Sequence, residues 1–537
     1  MTNKKRVLLI GLDGFTWRLG RGFMADGVMP VLGRLAAGGC SGALQSVIPF
    51  ETAPAWSSFQ TGCLPGKTGV FTFHTYDRRT GRIRLNSFSD IAVASLWELA
   101  SNAGRTVASL NLPVTSPPPR VNGIIIPGLL CPGLSKATVH PGWAYAKYIK
   151  PHSDYAAVCD KPSRSAGEFA KECAATERRR CDVALAMMRD LDWDVFCFQV
   201  QCSDVVQHRL WWALDPSADG FTEREHRDVV TFYSACDDII AQLIGAAGEE
   251  TLTIILSDHG FCREAGRVHV NAWLRKNGYL NLPPEKRTRW DAVKDAVLPL
   301  KVAARLAGSC ARVSRDLLKG AFAGPRKLKP FNEIQLQHLR RLIDLEATQA
   351  FCLGGPAGLL YIRAEGDRKA DLGGMLTERL LNDFGPRSEH PVITKILPAA
   401  EVYGPGGATA TMPDLVLYFE EGYAQIIHPL GEEIVTLHQP GTRQPGLHDR
   451  NGVIVLSGRD VKHGAALDGQ IVDIAPTVLA YLGIAVPRHM DGKVLDGFSQ
   501  PLGARYEDVD RSSAGSTDYT DEEQAAVERN LTDLGYL

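Results

Sequence analysis

Two short apolar runs of this chain lead into acidic residues, and this pattern limits the fold more than any other feature. The first run, residues 6–12, ends at Asp13. The second, residues 251–257, leads into Asp258 and His259. Continuous apolar runs of this length predict strands buried on both faces, as in the parallel sheet of an α/β fold. Because ligands bind beyond the carboxyl ends of such strands, we expect these three polar residues to face one site.

A third apolar run, residues 194–200, also predicts a strand, and it is followed by Asp204 and His208. If the chain turns into a helix there, a spacing of four residues puts both side chains on one face. Carboxylate and imidazole are ligands for divalent zinc or manganese. The alternative is an acidic residue favoured by the helix dipole, with an unrelated histidine one turn later.

Thr52 lies where a helix is predicted to begin, because Pro54 is tolerated in a first helical turn. The free backbone N–H groups of a helix N-terminus favour a phosphate anion. A hydroxyl beside them can act as a nucleophile when a metal ion lowers its pKa. Thr52 could equally be an ordinary N-cap, and position alone does not separate the two interpretations.

The segment from Pro49 to Phe71 has the pattern Thr-x-Pro-Ala-Trp-x-Ser-Phe-x-Thr-Gly-x-x-Pro-Gly-Lys. It resembles the predicted phosphohydrolase/phosphomutase branch of the alkaline phosphatase superfamily, which is close to the type I phosphodiesterase/nucleotide pyrophosphatase family. The resemblance extends to the strand before Asp13, to the Asp204/His208 pair and to four further segments: Ser257-Asp258-His259-Gly260, residues 446–458, residues 472–479 and Met490-Asp491-Gly492.

The resemblance implies a three-layer α/β sandwich with a mostly parallel central sheet and an inserted cap region. It also implies two divalent metal ions, usually zinc, with manganese as the alternative. Thr52 would contact the metals and act as the catalytic nucleophile, forming a phosphothreonine. One metal would be held by Asp204, His208 and His448, and the other by Asp13, Asp258 and His259.

The leading functional hypothesis is a metal-dependent phosphodiesterase or nucleotide pyrophosphatase. We find no motif for the arginine and the third, magnesium site with which classical alkaline phosphatases accommodate a monoester, and this favours diesters. A phosphomonoesterase or phosphomutase on the same two-metal site is the nearest alternative. A noncatalytic binding protein that keeps its metals for structure is another. A nucleotide-binding phosphate loop at Gly62–Thr68 is disfavoured because it is one residue too short between its glycines.

His448 follows a long intervening segment, so we expect an insertion into a catalytic core. The core would comprise residues 1–265 and 445–505, with an inserted cap at 266–444 and a polar tail with a terminal helix at 506–537. Within the cap, the basic segment 286–329 contains apolar residues at spacings typical of amphipathic helices. It predicts either a solvated helical lid or a surface that attracts an anionic substrate or a peripheral membrane contact.

Composition narrows the expected partners. The chain of 537 residues has a formal net charge of −2, which gives no reason to expect a specific nucleic-acid partner. A small phosphorylated substrate, nucleotide or lipid-derived, is expected instead. The N-terminus lacks the pattern of a signal peptide, and no apolar run is long enough for a transmembrane segment. The 12 cysteines form no Cys-x-x-Cys pair, which favours a reduced, cytoplasmic protein.

Overall fold

The computed structural model describes most of the chain. The described residues are 4–152, 154–157, 159, 163, 165–283, 343–404, 407–429, 431, 433–509 and 519–534. The basic segment 286–329 lies outside them, so the helical lid and the membrane contact that its sequence suggests stay predictions.

Strands and helices alternate along most of the described chain. The strands are β1 (Val7–Leu12), β2 (Cys40–Gln45), β3 (His74–Asp77), β4 (Arg82–Leu85), β5 (Val107–Leu110), β6 (Gly123–Ile126), β7 (Val195–Val200), β8 (Leu252–Leu256), β9 (Gly260–Arg263), β10 (Gly266–Val268), β11 (Ala350–Leu353), β12 (Ala357–Ile362), β13 (Ile393–Pro398), β14 (Leu415–Phe419), β15 (Tyr423–Gln425), β16 (Val435–Leu437), β17 (Gly446–Asp449), β18 (Asn451–Ser457), β19 (Ala465–Ala466), β20 (Gly469–Gln470), β21 (Val486–Pro487) and β22 (Tyr506–Glu507). The α-helices are α1 (Trp17–Ala25), α2 (Pro30–Gly38), α3 (Thr52–Thr61), α4 (Pro65–Thr68), α5 (Leu96–Asn102), α6 (Gly142–Ala144), α7 (Ala166–Asp190), α8 (Cys202–Leu214), α9 (Glu223–Ala247), α10 (Val270–Lys276), α11 (Gly366–Phe384), α12 (Ala399–Tyr403), α13 (Ile474–Tyr481) and α14 (Asp521–Leu534).

The central sheet is mostly parallel, as predicted. Its strand order is β19-β2-β18-β8-β1-β7-β5-β6, with β20 also paired to β2. Strands β8, β1, β7, β5 and β6 run parallel to one another, whereas β18 lies antiparallel between β2 and β8. The three apolar runs identified in the sequence are therefore neighbours at the centre of the sheet, as β8, β1 and β7.

Both faces of this sheet are covered, which explains why its strands are continuously apolar. In β1, Leu8, Ile10 and Leu12 pack into one hydrophobic cluster, whereas Val7 and Leu9 pack into another on the opposite face. The first cluster includes buried residues of α1, α7, α8 and α9, and the second includes those of α3, α5 and α13. The prediction of an α/β fold with a large, mostly parallel sheet between helical layers is confirmed.

A second, antiparallel sheet is formed by β11, β12, β14 and β13 in that order. Helix α11 packs on it through Leu372, Leu376 and Leu380. The sheet also contacts the first part of the chain through the edge-to-face rings of Tyr76 and Phe351. It is therefore packed against the rest of the protein rather than extended away from it.

Helix α9 is long and apolar enough, by length and composition alone, to cross a membrane, but half of that stretch is buried within the protein. Val229 and Phe232 pack into the same core cluster as α7 and α8. The Asp237 carboxylate accepts hydrogen bonds from the backbone N–H groups of Val31 and Leu32, at 2.8 and 2.9 Å, at the start of α2. These contacts are those of a helix in a protein core.

Candidate active site

Asp13 and Asp258 lie side by side because they follow adjacent parallel strands, β1 and β8. Both residues are fully buried. The Gly14 backbone N–H donates to Asp258 Oδ1 at 3.1 Å, and Gly14 has a φ of +66°, which favours glycine. A Cβ at this position would also lie 2.5 Å from the ring of Phe261. Gly14 thus allows the sharp turn that brings the two carboxylates together.

Asp204 and His208 lie on one face of α8, where the spacing of four residues places them. His208 Nε2 is 3.6 Å from Asp204 Oδ2. The preceding residue, Ser203, donates its hydroxyl to the backbone carbonyl of Asp13 at 2.7 Å. This bond ties the first turn of α8 to the end of β1, so that Asp204 faces the two strand-end carboxylates.

His448 enters the same cluster from strand β17, which pairs with β9 just beyond His259. Its Nε2 atom lies 2.8 Å from His208 Nε2 and 3.2 Å from Asp204 Oδ1. His259 stacks on His448 with ring centroids 3.8 Å apart, and His259 Nε2 is 3.7 Å from Asp13 Oδ1 and 3.4 Å from Asp258 Oδ2. The structure thus brings all six predicted Asp and His residues into one cluster.

Backbone carbonyls orient the three imidazoles in the same way. The Nδ1 atoms of His208, His259 and His448 lie 3.3, 3.1 and 3.1 Å from the carbonyl oxygens of Gly446, Gly260 and Phe50, respectively. A carbonyl only accepts, so each Nδ1 carries the proton and each Nε2 presents a lone pair to the cluster. This arrangement is typical of histidines that bind metals, whose other ring nitrogen donates to a carbonyl or carboxylate.

The pKa shifts in the cluster indicate that a bound cation would stabilise it. Burial and the Asp204 carboxylate raise the pKa of Asp13, and burial and the Asp13 carboxylate raise that of Asp258. Burial, followed by the neighbouring His448, lowers the pKa values of His208 and His259, and burial lowers that of His448 to about 3. The imidazoles are therefore neutral near pH 7 and give the carboxylates no positive charge, whereas a bound cation would favour the ionised carboxylates.

The donor atoms also fit metal ions by position. Ligand atoms of Asp204, His208 and His448 all lie within 4.8 Å of one another, and so do those of Asp13, Asp204 and His259. Asp204 belongs to both groups, although the family resemblance assigns it to only one metal. Asp13 Oδ1, Asp258 Oδ2 and His259 Nε2 are buried and have no hydrogen-bond partner among the described residues. Such atoms would be costly to bury without a ligand, and divalent cations suit them.

Thr52 is the first residue of α3, and Glu51 holds the cap position before it. The Thr52 side chain is fully buried, and its hydroxyl has no hydrogen-bond partner among the described residues. It is therefore not an N-cap that satisfies a helical N–H. The same segment contacts the cluster on both sides of Thr52, through the Phe50 carbonyl at His448 and the Trp56 indole at Asp13.

Trp56 and Gln199 hold Asp13 in place, and sequence reasoning gave neither of them a role. The Trp56 indole N–H and the Gln199 amide donate to Asp13 Oδ2 at 3.0 and 2.5 Å, which leaves Oδ1 directed towards His259. Gly11 makes room for both, since a Cβ there would lie 2.6 Å from the Trp56 ring. Two sequence signals could have pointed to these roles: a tryptophan four residues after Thr52, and a glutamine inside the apolar run of β7.

Replacing Trp56 with phenylalanine should weaken metal binding about 10- to 100-fold, because donors behind a ligand commonly have effects of this size. The substitution removes one donor to Asp13 while keeping a large aromatic ring in the core. Metal titration of the chelator-treated protein measures the change. Trp97→Phe is the matched control, because the Trp97 indole donates to the neutral amide of Gln60 instead. Equal affinities in the two variants would contradict a role for Trp56 at the site.

The sequence matches the family model of type I phosphodiesterase/nucleotide pyrophosphatase over residues 7–319. No curated protein sequence matches the chain significantly. The matched segment covers more than half of the chain and contains six of the seven predicted site residues; His448 lies beyond it.

Solved structures show the same fold at low sequence identity. Human ectonucleotide pyrophosphatase/phosphodiesterase 5 aligns with a TM-score of 0.53 and 12% identity, covering 92% of this chain and 100% of its own. An inactive variant of the murine protein, in complex with AMP, aligns with a TM-score of 0.52 and 10% identity, covering 90% of this chain and 96% of its own. Phosphonoacetate hydrolase from Sinorhizobium meliloti 1021, in complex with phosphonoformate, aligns with a TM-score of 0.53 and 14% identity, covering 89% of this chain and 96% of its own. The chain belongs to the type I phosphodiesterase/nucleotide pyrophosphatase family of the alkaline phosphatase superfamily and is a phosphoric ester hydrolase.

Proposed function

We propose that this protein cleaves phosphodiester or pyrophosphate bonds in a small phosphorylated molecule, with two divalent metal ions and Thr52 as the nucleophile. One observation carries the proposal. Three buried carboxylates lie together with three imidazoles that present Nε2, of which those of His259 and His448 are buried and that of His208 is partly buried. They lie beside a segment whose threonine hydroxyl has no hydrogen-bond partner among the described residues. Zinc suits this mixture of nitrogen and oxygen ligands, and manganese is the alternative.

Asp204, His208 and His448 would hold one ion, and Asp13, Asp258 and His259 the other, with Thr52 in contact with them. Two bound divalent ions supply positive charge that favours ionisation of the attacking hydroxyl and offsets the charge of the phosphoryl and leaving oxygens. The position of Asp204 near both sets makes it the residue on which both ions would depend.

Thr52 Oγ1 would attack phosphorus and give its proton to solvent, while the bond from phosphorus to the leaving oxygen breaks and a leaving alkoxide takes up a proton from solvent. The product of this step is a phosphothreonine and a free alcohol or phosphate. Water then attacks phosphorus, the bond from phosphorus to Thr52 Oγ1 breaks, and the remaining phosphate monoester leaves while Oγ1 regains a proton. The N-terminal end of α3 directs backbone N–H groups and the positive end of a helix dipole towards the phosphoryl group, which favours its negative charge.

A nucleotide is the substrate class with the most support. The matched murine structure contains AMP in an inactive threonine-to-alanine variant. This supports a site of nucleotide size and a threonine that takes part in catalysis. A lipid-derived phosphodiester offers the same phosphoryl group and is the alternative substrate.

Arg267 is the residue that could favour a monoester instead. Its charge acts on both His208 and His448, so a cation lies near the cluster and could bind the extra oxyanion of a monoester. Arg267 is, however, ion-paired with Glu264, which neutralises it. We therefore propose the diester as the preferred substrate.

Zinc- and manganese-loaded protein should hydrolyse a nitrophenyl phosphodiester with a higher kcat/KM than the matching nitrophenyl monoester. The preference should be about tenfold or more, since one poorly accommodated charge costs at least 1.4 kcal/mol. The nitrophenyl ester of a nucleoside monophosphate tests nucleotide preference, which would give it a higher kcat/KM than the simple diester. Arg267→Gln should leave diester hydrolysis largely unchanged. A monoester preference that Arg267→Gln removes would instead assign a phosphatase, and absence of turnover with every ester would favour a noncatalytic binding protein.

The place of the protein in the cell stays a prediction. The eleven described cysteines are all free and buried, which supports a reducing compartment such as the cytoplasm.

A further inference from the structure

Three cysteines from separate segments converge behind the active site. Cys159 lies in the loop before α7, Cys173 is on α7 and Cys202 is the first residue of α8. All three are buried, and their sulfur atoms lie within 4.8 Å of one another. They are 14 and 29 residues apart in the chain, so no short sequence motif brings them together. The cluster takes no part in the chemistry proposed above.

The spacing of the sulfur atoms matches metal coordination better than a disulfide. The sulfur atoms of Cys159 and Cys173 are 3.7 Å apart. Two thiolates on one tetrahedral zinc ion, with bonds of about 2.3 Å, lie about 3.8 Å apart. A disulfide would require the two sulfur atoms to approach to about 2.05 Å, well inside their present separation.

A fully buried ion pair lies beside the three thiols. Glu177 and Arg180 are fully buried, and they form an ion pair in which Arg180 Nη1 lies 2.7 Å from Glu177 Oε1. The same carboxylate oxygen accepts the backbone N–H of Cys202 at 2.8 Å. Arg180 Nη2 has no hydrogen-bond partner among the described residues, and the Arg180 charge acts on the Cys159 and Cys202 thiols. Glu177 offsets most of the Arg180 charge, so the surroundings of the thiols are polar but carry little net charge.

We infer that Cys159, Cys173 and Cys202 form a second metal site, which binds one thiophilic divalent ion such as zinc separately from the catalytic metals. The described residues supply three thiol ligands, and the Thr176 hydroxyl, which contacts the Cys159 thiol, can donate a hydrogen bond to that sulfur. Such an ion would join the loop before α7, α7 itself and the start of α8. Because Cys202 is two residues before Asp204, the site would fix the helix that carries Asp204 and His208.

Cobalt substitution distinguishes this site from the catalytic one, because only sulfur ligands give intense sulfur-to-cobalt charge-transfer absorption in the near ultraviolet. The full-length protein is reduced, freed of metal and titrated with Co²⁺. The expected result is a charge-transfer band whose final intensity corresponds to one thiolate-bound Co²⁺ per chain, whatever further Co²⁺ the catalytic ligands bind. Cys173→Ser should lose most of the band. Cys181→Ser, a buried cysteine on the same helix outside the cluster, should retain it. His448→Ala should also retain it, which would show that the band does not come from the active site.

Cys159→Ser provides a second variant if Cys173→Ser does not fold, since Cys159 lies in a loop. Absence of the band from folded, reduced wild-type protein would overturn the inference. So would a band that survives in both cluster variants, or a Cys159–Cys173 disulfide in the protein as isolated without any thiolate-bound metal. These readouts do not depend on turnover, and a failure here would leave the proposed hydrolase mechanism untouched.

Discussion

Thr52→Ala is expected to lower kcat for phosphodiester hydrolysis by about 10⁴-fold or more, the size of effect seen when a catalytic nucleophile is removed. The methyl side chain of alanine can form no phosphoryl ester. The six Asp and His residues of the cluster remain, so the variant should still bind metal. Steady-state kinetics on the nitrophenyl diester, with metal content measured on the same preparations, tests both statements.

Thr52→Ser keeps a hydroxyl and should retain much of the activity. Thr61→Ala makes the same change at the other end of α3, where the Thr61 hydroxyl donates to the Ser57 carbonyl at 2.7 Å and accepts the Cys63 backbone N–H at 3.3 Å. It should lose some stability but little turnover. Mass spectrometry of acid-quenched wild-type protein should detect a phosphoryl group on Thr52. Turnover by Thr52→Ala at the wild-type rate would show that water attacks the substrate directly.

Asp204→Asn should have opposite effects on stability with and without metal. In the metal-free protein, the Asp204 charge repels the buried carboxylates of Asp13 and Asp258. Its removal should therefore raise the Tm by a few degrees. In the metal-loaded protein, the same change removes a ligand shared by both groups of donor atoms. Wild-type protein gains about 2.7 kcal/mol at a metal concentration 100 times the Kd, and the variant should lose most of that gain and its turnover.

Thermal unfolding before and after addition of zinc, together with metal analysis, measures whether the change in Tm reverses its sign. Asp237→Asn is the matched control, because Asp237 is also a buried carboxylate but accepts two backbone hydrogen bonds at the start of α2. It should lower the Tm under both conditions, by a similar amount. If Asp204→Asn behaves as Asp237→Asn does, Asp204 is a structural carboxylate and not a metal ligand.

The fold and most of the candidate site could be predicted because the signals are local. A continuous apolar run that ends in aspartate predicts a central strand and the edge of the sheet where Asp13 and Asp258 lie. The spacing of four between Asp204 and His208 places both on one helical face. His448 was assigned only by resemblance, since its strand reaches the cluster by pairing with β9, and no local pattern encodes that pairing.

The remaining features depend on contacts between distant residues. Gln199 meets Asp13 across 186 positions in the chain, and an amide inside an apolar strand looks from the sequence like a defect in the pattern. The imidazoles are oriented by backbone carbonyls, which every residue has, so residue types do not predict these contacts. The sharing of Asp204 between both groups of donors likewise follows from side-chain geometry, which periodicity does not specify.

The position of β18 sets an order in which the molecule can be assembled. This strand fills the gap between β2 and β8 inside the central sheet, although it comes from residues 451–457. A nascent chain that stops before it would carry two unpaired strand edges, which are templates for aggregation, and would also lack His448. The central sheet and the metal cluster can therefore be completed only after residues 448–457 have been synthesised, and metal can bind all of its proposed ligands only from that point.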